Sequence, residues 1–175
     1  MTNYAAAPIS RNAIRSLANQ IRLITGFDTQ PYFPILEFFE LMIPKAIKDF
    51  NYEIVAKKEM PEKHGETFPS QKLIRLREDI YLGANRGNGR DRFTIAHEIG
   101  HLLLHQNNNV SLYRLEPHTR LKPYEDPEWQ ANAFAGELLM PIDIIKDMSI
   151  DQIRKQCVVS ADAARYQFSL LKSTR

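Results

Sequence analysis

Apolar positions along the chain recur at two spacings, and each spacing predicts a different element. Behind Ser10, a suitable N-cap, Ile14, Leu17, Ala18, Ile21 and Ile24 follow at helical intervals until Gly26 stops the run. Pro34 suits the first turn of a second helix through Leu36, Phe39 and Ile43. Pro44 ends or kinks that helix, although Ala46 and Ile47 resume its pattern. Tyr52–Ala56 and Lys72–Leu76 are the strand candidates, the second with an interrupted alternation at Leu73 and Ile74. Residues 83–89, with glycines at 83, 87 and 89 and asparagines at 85 and 88, read as a loop. A long helix is expected from near Asp91 through His105, with Phe93, Ala96, Ile99 and Leu103 on one face. Pro117, Pro123 and Pro127 then forbid one continuous helix between Asn107 and Pro127. A further helix is expected from Pro127 or Glu128 to about Leu139, and Pro141 opens a new segment. Two short helices near Ile150–Gln156 and Ala161–Leu171 complete the chain, which contains no internal repeat and no low-complexity tract.

Composition narrows the function classes without choosing one. The 175 residues suit one compact domain with at most a small helical appendage. Hydrophobic residues make up 43 %, enough for a core. With 23 basic and 21 acidic residues, the net charge of +2 gives no reason to invoke nucleic acid or an anionic membrane. Cys157 is the only cysteine, so no internal disulfide can form, as suits a reducing compartment. Ala5 to Ala7 are followed at once by Pro8 and soon by Arg11 and Arg15, which is not the pattern of a secretory signal. The apolar stretch from Phe33 to Ile43 carries Glu37 and Glu40 and is too short for a bilayer. A soluble, cytoplasmic protein is expected.

Against this plain background one motif carries chemistry. In His97-Glu98-Ile99-Gly100-His101, the histidines lie four residues apart, on the same face of a helix, so both imidazoles can reach one ion. Imidazole nitrogen binds zinc at about 2.0–2.1 Å. Glu98 is one residue beyond His97 and can sit beside the site rather than on the ion. The ion lowers the pKa of water from about 15.7 to roughly 7. Glu98 can then act as general base, taking the proton and passing it to the leaving amine. Each residue alone could be an ordinary partly solvated side chain. The three together, flanked by apolar residues on a helix that can be buried, need a reason.

A catalytic zinc takes three protein ligands and keeps one position open. His105 lies a further turn along the same helix, where three residues cannot readily wrap around a tetrahedral ion. A third histidine placed after a glycine turn would require glycine at Leu104 and histidine at Asn107, so that pattern is not followed. Glu128 on the downstream helix is the better candidate. Asn132, four residues later, can hydrogen-bond a ligating histidine from the same face. Ala131, Ala135 and Gly136 would let the two helices approach closely. Position alone leaves Glu128 open between a ligand and a favoured helix-N-terminal acid.

Two ordered segments settle that choice by resemblance. Residues 90–105, from Arg90-Asp91-Arg92-Phe93 through His105, and residues 128–141, Glu128-Trp129-Gln130-Ala131-Asn132 through Pro141, resemble the ImmA/IrrE-type metallopeptidases. A weaker match lies in Val158-Val159-Ser160-Ala161-Asp162. The resemblance implies an α+β fold with a zincin-like core: a small sheet, an active-site helix and a second helix that carries Glu128 as third ligand. It implies zinc or manganese, and an endopeptidase that cleaves a regulatory protein such as a helix-turn-helix repressor, thereby controlling gene expression. The chain resembles the short form, without a large C-terminal sensor domain. The expected division is a metallopeptidase domain over residues 1–140 and a short helical segment over 141–175. The rival class is a non-catalytic, metal-stabilised regulator that binds a repressor or DNA, disfavoured by an intact Glu98.

Three further expectations attach to this reading. The tail from Ser149 to Leu171 resembles a helix-turn-helix, and Arg165, Lys172 and Arg175 could touch phosphate, but packing on the core or on a partner is the favoured reading at this net charge. Zincin-like enzymes usually hold their peptide as an added strand, and Lys72, Leu73, Ile74, Arg75 and Leu76 form the candidate edge, with an interior strand as the alternative. His118, Tyr124 and Lys122, between the two motifs, are candidates to stabilise the oxyanion, each with an ordinary loop role as the alternative.

Overall fold

The computed structural model describes residues 4–105, 113–114 and 121–173. The chain opens with β1 (Tyr4–Ala5), whose antiparallel partner is β5 (Tyr113–Arg114) far along the sequence. Helix α1 (Arg11–Ile24) starts where expected: the Ser10 hydroxyl accepts the N–H of Ala13 at 3.2 Å, supplying a partner for one orphan donor of the first turn. Its apolar stripe buries Ile14, Ala18 and Ile21, and Gly26 turns the chain with φ at +78°. The second helical stretch is not a simple α-helix. It runs as α2 (Ile35–Glu37), a wider π-type turn over Phe38–Met42, and α3 (Ile43–Ala46). Pro44 accounts for this, because it has no N–H to give and its ring would strike the carbonyl four residues back; widening the preceding turn moves that carbonyl away.

Three strands follow: β2 (Asn51–Val55), β3 (Gly65–Phe68) and β4 (Leu73–Arg77). Their order is β2-β4-β3, with β2 parallel and β3 antiparallel to β4. This corrects the reading of Lys72–Leu76 as an edge. Ile74 pairs with Tyr52 on one side and Thr67 on the other, so the strand is central and offers no free backbone to a peptide. Ile74 and Leu76 are fully buried, while Lys72 is not in the strand at all but in a left-handed turn, φ +52°, before it.

Helix α4 (Glu78–Asn85) extends into the stretch expected to be a loop. Gly83 lies inside it because a side chain there would collide with the Asp91 carboxylate, and the turn itself is confined to Gly87, with φ at +81°. Helix α5 (Gly89–Leu104) is capped by Asn88, whose Oδ1 accepts the N–H groups of Arg90 and Asp91 at 3.0 and 3.3 Å. Helix α6 (Pro127–Leu139) begins with the Asp126 carboxylate accepting from Glu128 N–H at 3.0 Å. These two helices pack closely: a Cβ at Gly100 would stand 3.1 Å from the Cα of Ala131.

The tail forms α7 (Ile142–Ile145), α8 (Ile150–Gln156) and α9 (Ala161–Ser173). Ser149 and Gln152 close a capping box at the start of α8. Ile145, Ile153, Cys157, Val159 and Ala164 belong to the same apolar cluster as Ile99 and Phe134, so the tail packs on the core. Buried Arg92 fastens it further, donating to Val158 O at 3.1 Å and Phe33 O at 2.6 Å. Glu137, fully buried on α6, ties that helix to α1 through Arg11 at 2.8 Å and Arg15 at 2.9 Å. Of the tail cations considered for phosphate, Arg165 is paired with Asp162 at 2.6 Å, while the side chain of Lys172 and all of Arg175 lie outside the described residues. Among the described residues, no helix is long and apolar enough to cross a membrane.

Candidate metal centre

Helix α5 has two faces with different chemistry. Ile95, Ile99 and Leu102 are fully buried in the core. One turn apart on another face, His97 and His101 bring their Nε2 atoms to 3.0 Å from each other. The first turn of α6 supplies Glu128, with Oε2 3.3 Å from His97 Nε2 and Oε1 3.4 Å from His101 Nε2. One donor atom from each of the three residues lies within 4.8 Å of the other two. Two imidazole nitrogens and one carboxylate oxygen from two rigid helices are the donor set of a divalent transition metal with an open position.

The charges around this point agree with its geometry. Hydrogen bonds from His101 and His97 hold the Glu128 carboxyl far below the usual carboxylate range, outweighing its partial burial. Burial pushes the His97 imidazole down, but Glu128, Glu98 and Asn132 together raise it above its ordinary value. Asn132 Oδ1 lies 3.0 Å from His97 Nδ1 and, being an acceptor only, takes that proton, so Nε2 is the atom that His97 turns to the donor cluster. His105 sits on the other side of His101, its Nδ1 3.0 Å from the Nδ1 of His101, and burial lowers its pKa to about 4. That ring therefore faces the back of His101, not the donor cluster.

Glu98 is buried at 7 % exposure and held from the sheet. The Thr67 hydroxyl donates to Glu98 Oε2 at 2.6 Å, and Gly65 packs flat against the same side chain. Both belong to β3, so β3, not β4, forms the wall of the site. A cavity of about 320 Å³ lies between Gly65 and Thr67 on one side and His97, Glu98, His101 and Glu128 on the other. It adjoins a hollow of about 330 Å³ bordered by His64, Phe93, Thr94 and Asn132. Beyond Asn132 opens a larger, mixed cavity of about 510 Å³ between α5, α6 and α9, in which Phe93, Trp129, Met140 and Tyr166 face polar groups that include Arg90 and Asp162.

The expected residues divide accordingly. His97, Glu98, His101, Glu128 and Asn132 meet at one point. Lys72, Leu73, Ile74, Arg75 and Leu76 border none of these cavities. Tyr124 is 39 % exposed, with the Lys122 ammonium 5.7 Å from its ring centre, and neither lines the donor cavity. His118 lies outside the described residues. Gly65-Glu66-Thr67-Phe68 has no alternation to mark a strand, so the sequence does not point to Gly65 or Thr67. His64 and Lys63, at the rim, carried no signal at all.

A helix presenting two histidines around a glutamate, crossed by a second helix presenting a carboxylate and backed by a small sheet, is the layout of a zincin-like metallopeptidase domain. The sequence profile of peptidase family M78, described as the IrrE N-terminal-like domain, matches residues 48–170, and the chain belongs to that family. A search among curated proteins finds no match. The matched region takes in β2 through most of α9, hence every residue of the centre and the helical tail with it.

Proposed function

We propose that the protein is a metal-dependent endopeptidase. The observation that carries the reading is the position of Glu98, whose carboxylate shares one cavity with the three-donor cluster while ligating nothing itself. A divalent ion held by His97, His101 and Glu128, zinc by its donor set with manganese as the alternative, would acidify a water molecule and polarise the scissile carbonyl. Glu98 takes one proton from the attacking water as oxygen bonds to the carbonyl carbon. It returns that proton to the departing amide nitrogen as the C–N bond breaks, so the carboxylate ends as it began. The Thr67 hydroxyl holds one Glu98 oxygen and leaves the other free for this exchange. Asn132 fixes the ring of His97.

The substrate reading rests on the same wall. The outer edge of β3 has no partner among the described strands, and an extended peptide could pair with it across the cavity. The cavity past Asn132, with Phe93, Trp129 and Met140 in its wall, would take a large side chain of that peptide. Family membership supports a regulatory protein as substrate, a helix-turn-helix repressor first of all, and hence a role in gene control in the cytoplasm. The tail, packed on the core with Arg165 already paired, gives little support to direct DNA contact.

The test is to incubate the purified protein with the repressor encoded beside its gene, with zinc, with manganese, and with a chelator. Cleavage that the chelator abolishes and metal restores is expected. Tight binding of the repressor without cleavage under every metal condition would favour the non-catalytic regulator instead.

A further inference from the structure

Behind His101, on the side away from Glu128, lies a chain of buried polar groups whose protons can be assigned from its far end. The Gln130 side chain, fully buried, donates from Nε2 to two main-chain oxygens, Ala7 O at 2.9 Å and Tyr124 O at 2.8 Å. Carbonyl oxygens only accept, so the amide cannot be turned the other way, and Gln130 Oε1 faces His105. That oxygen is 2.9 Å from His105 Nε2, so this nitrogen carries a proton. His105 is 5 % exposed, and neither of its ring partners is an anion, so its imidazole is neutral and has one N–H only. Its Nδ1 is therefore a lone pair, 3.0 Å from His101 Nδ1, which must be the donor. With its Nδ1 proton committed to His105, His101 has only Nε2 to offer the donor cluster, 3.0 Å from His97 Nε2 and 3.4 Å from Glu128 Oε1.

We infer that His105 is a positioning residue of the metal centre: anchored by Gln130, it accepts the Nδ1–H of His101 and keeps Nε2 of His101 turned toward the donor cluster. This rests on reading His101 as a metal ligand. The two ligand histidines are then fixed in the same tautomer by different means. His97 uses an amide oxygen of α6, and His101 uses a second imidazole braced by α6. The chain ends on main-chain oxygens of two segments, one before α1 and one before α6, so the His101 ring cannot tip without disturbing both. A buried histidine one turn past a metal motif is thus explained without counting it as a ligand.

The full-length protein, labelled with nitrogen-15 in histidine, tests this without any activity measurement. Two-bond proton–nitrogen correlation spectra at neutral pH, with His105→Asn used for assignment, report the tautomer of each ring. His105 is expected as the Nε2–H form and His101 as the Nδ1–H form, and the second should persist when Zn2+ is added. His105 as the Nδ1–H form, or protonated on both nitrogens, would overturn the inference. Zn2+ affinity by competition with a chromophoric chelator gives the energetic arm. His105→Phe, which fills the space without an acceptor, should weaken binding by about 10- to 100-fold. His105→Asn, whose oxygen can still accept from His101, should restore most of that loss. Equal losses in the two variants would assign the effect to packing and refute the role. A wild-type protein that takes up neither Zn2+ nor Mn2+ would overturn the metal-site reading itself, an outcome the tautomer spectrum tells apart from failure of the relay.

Discussion

Gly65 is the residue at which a single added methyl group separates catalysis from stability. A Cβ there would stand 2.7 Å from Glu98 Cγ, 2.8 Å from Oε1 and 2.9 Å from Cδ. Carbon atoms rest at about 3.5–4.0 Å, so Glu98 must give way by roughly 0.8 Å or more. Helix α5 cannot retreat, because Ile95, Ile99 and Leu102 are fully buried on its core side. The carboxylate moves instead, and its 2.6 Å bond to Thr67 stretches or breaks. A displacement near 1 Å of a reacting group costs on the order of 10²-fold in rate. Gly65→Ala should therefore cut its substrate about 10- to 100-fold more slowly. The effect on stability is small by comparison, since replacing glycine in a strand by alanine stabilises by about 0.4–1 kcal/mol through the unfolded chain, which offsets part of the strain. Zn2+ affinity should not change, because His97, His101 and Glu128 are not touched. The assay is repressor cleavage on gels beside calorimetric melting and a Zn2+ competition titration. A wild-type cleavage rate in Gly65→Ala, with melting and Zn2+ binding intact, would refute the assignment of Glu98 as the proton carrier held at this place.

Other consequences follow from single contacts. Asn132→Ala should fold normally but lose about 10- to 100-fold in Zn2+ affinity or activity, with Asn132→Asp milder because it keeps the acceptor; equal, near-silent effects in titration would mean that the 3.0 Å contact to His97 does nothing. Glu137→Ala strands Arg11 and Arg15 around a fully buried site and should cost about 3 kcal/mol in denaturant unfolding, the low side of the range for buried pairs because both arginines keep some contact with water; a loss below about 1 kcal/mol would contradict it. The Cys157 thiol is fully buried and pushed up to about 11 by that burial, so at pH 8 almost no thiolate is present and a thiol reagent should label it only as the protein unfolds; rapid labelling of the native protein would show the tail turn to be open.

The parts of the site that were legible share one property: their geometry is local. His97, Glu98 and His101 lie within one helical turn and a residue, and Glu128 and Asn132 within another, so the period of the α-helix alone puts each set on one face. That the two sets meet depended on family resemblance, since nothing in either segment specifies the crossing of α5 and α6. The strand at Lys72–Leu76 was found nearly in register, but its rank in the sheet was not, because whether a strand is central depends on partners elsewhere in the chain. Ile74 lies between Tyr52 and Thr67, and neither neighbour can be read from the strand itself. β3 is not legible locally, because the partner of its Gly65 and Thr67 is Glu98, roughly thirty residues further along the chain. Gly83 misled for a similar reason: its smallness answers to Asp91, not to a turn. Helical geometry argues against His105 as a ligand, but its contact with Gln130, and through it with Ala7, is not legible locally because it joins segments more than a hundred residues apart.

The central claim is that Glu98 moves the proton in a metal-assisted cleavage, and Glu98→Gln tests it most directly. The amide keeps the shape of the side chain and can still pair with Thr67, but it cannot accept a proton from water. With Zn2+ uptake and repressor binding measured on the same preparation, the account predicts that both stay at wild-type levels while cleavage slows by about two to four orders of magnitude. Cleavage at a near wild-type rate by the metal-loaded Glu98→Gln protein would contradict it.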